Sequence, residues 1–183
     1  MTDFALHPNA ETGALVSTLD PLAGVPRHLH RMFTPKTRPP SPLGRAVNRA
    51  FVRGNVALFR ASSGRLGGRL AGMDVLLLST LGRRTGAVRT SALMYVWDQG
   101  RFVVCAAYGG HIVHPAWYLN LLAVPRGTVE LGVETLRVRA DTLQAGPERD
   151  RLWQLMVDGA GNFARFQAMT TRLLPVVVLT PVD

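Results

Sequence analysis

Six short β-rich segments, two helical interruptions and one basic helix ahead of them predict an α+β chain, mainly β: a small antiparallel barrel with helices packed on it. Three observations carry this. The period of the apolar residues changes from helical to alternating after residue 72, and Leu136, Val138 and Ala140 alternate with Arg137, Arg139 and Asp141, as in a strand with one wet face. Turn residues such as Asp98-Gln99-Gly100 separate the segments. Finally, 183 residues at 47% apolar and 18% charged suffice for one core.

Residues 1–41 hold Pro8, Pro21, Pro26, Pro35, Pro39 and Pro40 with no sustained period, so a poorly ordered arm outside the core is expected. Residues 42–61 read as a basic amphipathic helix. At 100° per residue Arg45, Arg49, Arg53 and Arg60 share one face, and Val47, Ala50, Phe51, Gly54 and Leu58 the opposite one. Such a helix either docks on the barrel with its arginines in water or lies in a headgroup layer. The remainder, 62–183, forms the barrel domain. It opens with a Gly-rich linker, SSGRLGGRLAG (62–72), which has no lysine and follows no strand, so it is not a nucleotide-binding loop. Strands are predicted over 73–80, 88–97, 101–107, 127–133, 135–143 and 174–180. Helices are expected at 115–123, with Pro115 in the first position, and over 147–172 with a break near Gly159 to Gly161.

The net charge is +9, and its excess is N-terminal: ten Lys and Arg against three acids up to Met73, then eleven against nine. Such a segment seeks anions, whether nucleic acid, an anionic membrane surface or a polyanionic small molecule. Nucleic acid is disfavoured, because the 42–60 stripe interleaves few aromatics with its arginines. The longest apolar run is about eight residues, far short of the roughly 20 that span a bilayer. The N-terminus lacks the pattern of a secretory signal, so a cytoplasmic protein is expected. Cys105, the only cysteine, sits in FVVCAA and reads as a buried structural thiol.

Three places could carry chemistry. In LGRRTGAVRT, Arg83, Arg84, Thr85 and Arg89 surround a turn whose amides near Gly82 and Gly86, together with three guanidinium groups, suit a phosphodiester or carboxylate. Tyr108-Gly109-Gly110-His111 follows an apolar strand, and the paired glycines would let a flat ligand approach the backbone. In HPAWYLN, Trp117 and Asn120 fall on one helix face and could bracket a ring system. No GxSxG elbow occurs, and His111 and His114 have no carboxylate or thiol near them in sequence, so neither a hydrolytic triad nor a metal is expected. A chain without nucleophile, acid pair or metal, but with phosphate-like and ring-like sites, points to a bound redox cofactor.

The segments GRLGGRLAGMDVLLLSTLGRRTGAVRTSAL, YGGHIVHPAWYLNLLAVPRGTVELG and RFQAMTTRLLPVVVLTPV resemble the deazaflavin-dependent nitroreductase family of actinobacteria, from about Ser62 to Val182. The resemblance implies a split β-barrel of the FMN-binding split-barrel type that uses coenzyme F420, with FMN less favoured. It places the cofactor's phosphate and oligoglutamate tail at Arg83, Arg84, Thr85 and Arg89. The deazaflavin is placed along Ala92, Leu93, Cys105, Ala106, Ala107, Tyr108, Gly109 and Gly110, with Ala116, Trp117 and Asn120 closing the site. Trp117, Phe163 and Phe166 would form the substrate pocket. The implied reaction is hydride transfer to a quinone, enone or nitroaromatic.

Departures from the family pattern bear on activity. Members commonly read S-[NK]-G-G where this chain has Ala107-Tyr108-Gly109-Gly110, and carry tyrosines where Phe163 and Phe166 stand. Tyr108 is thus the candidate proton donor, and a non-catalytic F420-binding or carrier protein is the competing reading. A small-molecule electron acceptor is the expected partner. Contact of residues 42–60 with the inner face of an anionic membrane and a homodimer are further expectations.

Overall fold

The computed structural model describes residues 41–70, 72–160 and 162–182, without the side chains of 42, 45–49 and 51. The expected arm 1–41 lies outside these residues except for Ser41. Chain order is α1 (Pro42–Ala61), β1 (Arg69–Leu70), β2 (Met73–Leu81), β3 (Val88–Asp98), β4 (Arg101–Cys105), α2 (Ala116–Ala123), β5 (Arg126–Leu131), β6 (Glu134–Leu143), α3 (Pro147–Gly159), α4 (Asn162–Ala168) and β7 (Val176–Pro181). The sheet runs β1-β2-β3-β4-β7-β6-β5, and β5 pairs back onto β2, closing six antiparallel strands into a barrel.

Alternation along the strands divides the core in two. Leu76, Leu78, Phe102, Val104, Val129, Val138, Val177 and Leu179 point inward and pack with Trp117, Tyr118 and Leu121 of α2, which plugs one mouth. Met73, Val103, Cys105, Val176 and Val178 point outward beneath Leu152, Met156 and Phe163 of α3 and α4. The strand ending at Cys105 thus presents Cys105 and Ala107 to the helical layer and Ala106 to the barrel interior.

Helix α1 starts at Ser41, whose hydroxyl accepts from the Gly44 amide at 3.0 Å, with Pro42 in the first turn. Its docked face differs from the predicted one. Val56 and Phe59 are buried against Val75 and Leu77, with Val52 beside them, a 52/56/59 spacing that keeps one stripe on the sheet. Phe59 alone contributes about 1.5–3 kcal/mol by its burial. Leu58 is 48% exposed, and Ala50 and Gly54 are exposed with it. These three members of the stripe expected to dock therefore face away from the barrel, because Val52, Val56 and Phe59 form a second apolar stripe that meets the sheet, while the side chains of Val47 and Phe51 lie outside the described residues. Arg60 makes a bidentate pair with Glu130 of β5, its Nε 2.7 Å from one carboxylate oxygen.

Three smaller differences follow from tertiary contacts. The Gly-rich linker contains β1, a two-residue strand that pairs with Asp74 and Met73. Pro115 caps α2 from outside rather than opening it, with an extended ψ of 150°. Asp98, expected as a turn residue, ends β3 and is buried, held by Arg151 at 2.8 Å and Arg101 at 3.1 Å. No helix among the described residues is long and apolar enough to cross a membrane.

Candidate functional site

The β2–β3 turn is closed by its own backbone. The Gly82 amide donates to Ala87 O at 2.9 Å, and the amides of Thr85 and Gly86 donate to Gly82 O at 3.1 and 2.8 Å. The Arg83 amide donates to Asn120 Oδ1 at 3.2 Å, and the Ala87 amide to Thr85 Oγ1 at 3.4 Å. The amides at Gly82 and Gly86, expected to receive an anion, are thus engaged inside the turn. What the turn offers is guanidinium groups: Arg83, Arg84 and Arg89 are exposed, and among the described residues none has a carboxylate partner.

Asn120 holds this turn to the barrel. Buried at 3% exposure, it donates from Nδ2 to Thr80 Oγ1 at 3.1 Å while its Oδ1 receives Arg83. Its amide groups are used within the protein, so the expected ring contact is not offered by this side chain. Trp117 is likewise buried among the barrel residues, edge-on to Tyr118. Ala116, one position earlier, is exposed at the helix start.

A second feature is a split in the barrel wall. β3 pairs with β4 only over Tyr95–Asp98, because the chain leaves β4 at Cys105 and the Ala106 amide turns to Pro175 O at 3.0 Å. Over Val88–Met94, β3 pairs with β2 alone among the described strands, so its other edge, at Arg89, Ala92 and Leu93, has no ladder on β4. The side chain of Leu93 turns into the barrel and that of Ala92 lies under α1, so both meet the split through backbone.

The far side of the split is rigid. Tyr108, Gly109 and Gly110 take φ of 50°, 59° and 73° in succession. For Tyr108 this left-handed backbone is strained, a condition that collects at binding sites. Gly110 is required by packing: a Cβ there would lie 2.8 Å from Met169 Cβ and 2.9 Å from Phe166 O. Arg172, not singled out by sequence reasoning, fixes the whole segment. Its guanidinium donates to Ala106 O at 3.0 Å, Ala107 O at 2.8 Å and His111 O at 2.7 Å, and meets His114 Nδ1 at 3.3 Å. Since arginine only donates, His114 Nδ1 is the acceptor and Nε2 carries the proton. Burial, and then the Arg172 charge, push the His114 pKa below its ordinary value and favour this neutral form.

Tyr108 is half-buried with its ring 5.1 Å from that of His111. Phe163 is 2% exposed in the outer core, so of the two phenylalanines expected to line a pocket only Phe166, edge-on to it, retains surface. Cys105 is buried, and desolvation pushes its thiol up to about 12, which keeps it protonated and inert.

Guanidinium groups without carboxylate partners at one end of a wall split, and a backbone shelf of small residues at the other, fit an elongated ligand with a flat ring and an anionic tail. Comparison with known proteins agrees. The model of the F420H(2)-dependent quinone reductase family matches residues 51–181. An F420H(2)-dependent quinone reductase of Mycobacterium tuberculosis is 36% identical over 141 residues, covering 75% of this chain and 95% of the relative. Among solved structures, an F420-H2 dependent reductase (FDR-A) superposes with a TM-score of 0.53 at 35% identity, covering 57% of this chain and 92% of the other. A domain-swapped dimer superposes at 0.56 with 30% identity, covering 72% and 98%. The split barrel, the enzyme class and the cofactor implied by the sequence resemblance are those of this family. The chain belongs to the F420H(2)-dependent quinone reductases.

Proposed function

We propose that this chain catalyses the reduction of a quinone by reduced F420 bound along the split. One observation carries the reading: β3 has no ladder on β4 before Tyr95, and the chain continuing from β4 is pinned by Arg172 at Ala106 and Ala107, while α2 holds the basic turn through Asn120. The helix begins next to the shelf at Ala116 and anchors the basic turn through Asn120, about 6 Å further along its axis. When bound, the cofactor supplies a hydride, which together with one proton converts a quinone to a quinol. Arg83, Arg84 and Arg89 bind the anionic part of the cofactor, and the Ala106–Gly110 backbone lets its ring approach closely. Tyr108 stands beside the shelf as proton donor, and Phe166 offers an apolar wall to the acceptor.

The test is a fluorescence titration with oxidised F420 and with FMN at one ionic strength, followed by oxidation of F420H2 by quinones, enones and nitroaromatics. Saturable F420 binding, weakened by Arg84→Ala, and turnover with quinones are expected. Tight binding with no oxidation by any acceptor would instead establish a cofactor carrier, the reading favoured by the phenylalanines at 163 and 166.

The outer stripe of α1 supports a peripheral site on an anionic membrane, where apolar quinones reside. Leu43 is 74% exposed, Leu58 and Ala50 lie outward with it, and Arg53 is exposed beside them. Flotation with anionic liposomes that is lost in a Leu43→Glu, Leu58→Glu variant is expected; unchanged flotation would exclude it.

A further inference from the structure

Two arginines that lie partly or wholly inside the fold, Arg101 and Arg149, each meet a carboxylate, at 2.9 and 3.2 Å. Arg172 does not. Half-buried, it gives its hydrogen bonds to three backbone carbonyls and to the neutral imidazole of His114, and among the described residues it forms no ion pair. The acidic groups that act on it are the Cys105 thiol and the Tyr118 phenol rather than any carboxylate. The thiol, pushed up to about 12 by burial, stays protonated and supplies no counter-charge. Arg149, whose charge also reaches Cys105, adds a second cation from α3, and its partner Asp150 is exposed. The carbonyls therefore satisfy the donors of Arg172 but leave its charge uncompensated, a costly arrangement away from water.

The shelf has a second positive feature on its other side. A trans peptide sets C=O and N–H antiparallel, and no cis peptide occurs among the described residues. With Ala107 O turned to Arg172, the amide hydrogen of Tyr108 points away from it. Neither the Tyr108 amide nor the Gly109 amide donates to an acceptor among the described residues. Ala107 is right-handed, with φ −68° and ψ −43°, and Tyr108 and Gly109 follow with φ of 50° and 59°. A right-handed residue followed by a left-handed one turns successive amides to one side, a backbone arrangement that attracts anions. A guanidinium behind the shelf and open amides on it together favour a ring that carries negative charge.

We propose that Arg172 is a positioning residue that acts by its charge from behind the shelf: it makes the ring hydroxyl of the bound 8-hydroxy-5-deazaflavin a stronger acid, so that the site takes the anionic ring in preference to the neutral one. This rests on the reading of the split as an F420 site. The hydroxyl proton leaves to solvent, and its negative charge spreads over the conjugated ring. The oxidised ring of FMN has no such hydroxyl, so the same charge favours F420 over FMN.

The experiment is an absorbance titration, from about pH 5 to about pH 9, of oxidised F420 held at saturation by the whole protein, with free F420 alongside. The hydroxyl form and its anion absorb differently, so the signal reports the ring and not His111 or His114. In the native protein the ring should ionise about one pH unit or more below the free cofactor, as an acid beside a cation does. By linkage that shift equals about tenfold tighter binding of the anionic ring than of the neutral one. Arg172→Lys and Arg172→Gln both lose the planar fork that joins the carbonyls, but only lysine keeps the charge. Most of the shift should survive in Arg172→Lys and at least about half of it should be lost in Arg172→Gln, with thermal melting to show that both are folded. Equal shifts in the two variants overturn the proposal, because the effect then belongs to the shape of the shelf. The native protein alone gives a further check: F420 affinity should rise about tenfold as pH is raised through the ring's ionisation, and a flat affinity or an unshifted ring overturns the proposal. Failure of the native protein to bind F420 would instead overturn the cofactor reading on which the proposal stands.

Discussion

The Arg172 guanidinium donates to the Ala107 carbonyl across 2.8 Å, joining the segment before β7 to the shelf 65 residues earlier. With the bonds to Ala106 O and His111 O, one side chain holds three carbonyls that lie outside the seven strands. An ammonium group cannot reproduce this, because its three hydrogens radiate from one atom while the guanidinium spans a plane.

Arg172→Lys should therefore destabilise the protein nearly as much as Arg172→Ala, by about 1–3 kcal/mol in urea unfolding. Both should weaken F420 binding. Hydrogen exchange should speed up over residues 106–114 before it does in β2 or β7; uniform protection across these regions would assign Arg172 a merely global role.

Gly110 and Gly86 share a left-handed backbone but differ in what surrounds them. A Cβ at Gly86 would meet nothing within 4 Å, so Gly86→Ala should cost only the conformational penalty, about 1–2 kcal/mol. At Gly110 the same methyl also collides with Met169 and the Phe166 carbonyl, so Gly110→Ala should cost more by about 1–3 kcal/mol and displace α4 from the shelf. Paired denaturation curves of the two variants measure the difference.

Asn120→Leu removes the link between Thr80 and the Arg83 amide and leaves a buried hydroxyl without its donor. A stability loss of about 1–3 kcal/mol is expected, with a drop in F420 affinity because the basic turn is no longer fixed. A double-mutant cycle with Thr80→Val should show coupling of at least about 0.5 kcal/mol; additive effects would mean the bond contributes nothing.

Asp98 is held below the usual carboxylate range, first by its hydrogen bond to Arg151 and then by Arg101, against the opposing effect of burial. Its folded pKa is lower than its unfolded one, so below the unfolded value the unfolded chain binds the extra proton. The stabilisation is thus complete above about pH 4 and is lost as pH falls through the acid range. Stability against pH, compared with Asp98→Asn, should show a shallower acid decline in the variant.

Much of this was legible in the sequence. Strand positions followed from period-2 alternation, and the helices over 147–172 with their break near Gly159 emerged as α3 and α4. The turn between β2 and β3, the glycines at 109 and 110 and the start of α2 beside Pro115 were legible as local backbone features, because glycine and proline restrict or free the backbone wherever they stand. Periodicity could not say which stripe of α1 docks, since Val52, Val56 and Phe59 compete with Ala50, Gly54 and Leu58 and only the partner surface distinguishes them.

Element types, the positions of the turns and the arginines around Gly82 and Gly86 are local features carried by composition and spacing, and the deazaflavin enzyme class came from the resemblance to a family. Tertiary structure decided how those residues are used. It turned the Gly82 and Gly86 amides inward, assigned Asn120 to the turn, buried Trp117 and Phe163, brought Arg172 to the shelf, and set Arg126 opposite Arg139. The physical reason is common to all of these: a side chain's chemistry is fixed by its atoms, whereas its partners are fixed by strand register and barrel closure between residues far apart in the chain.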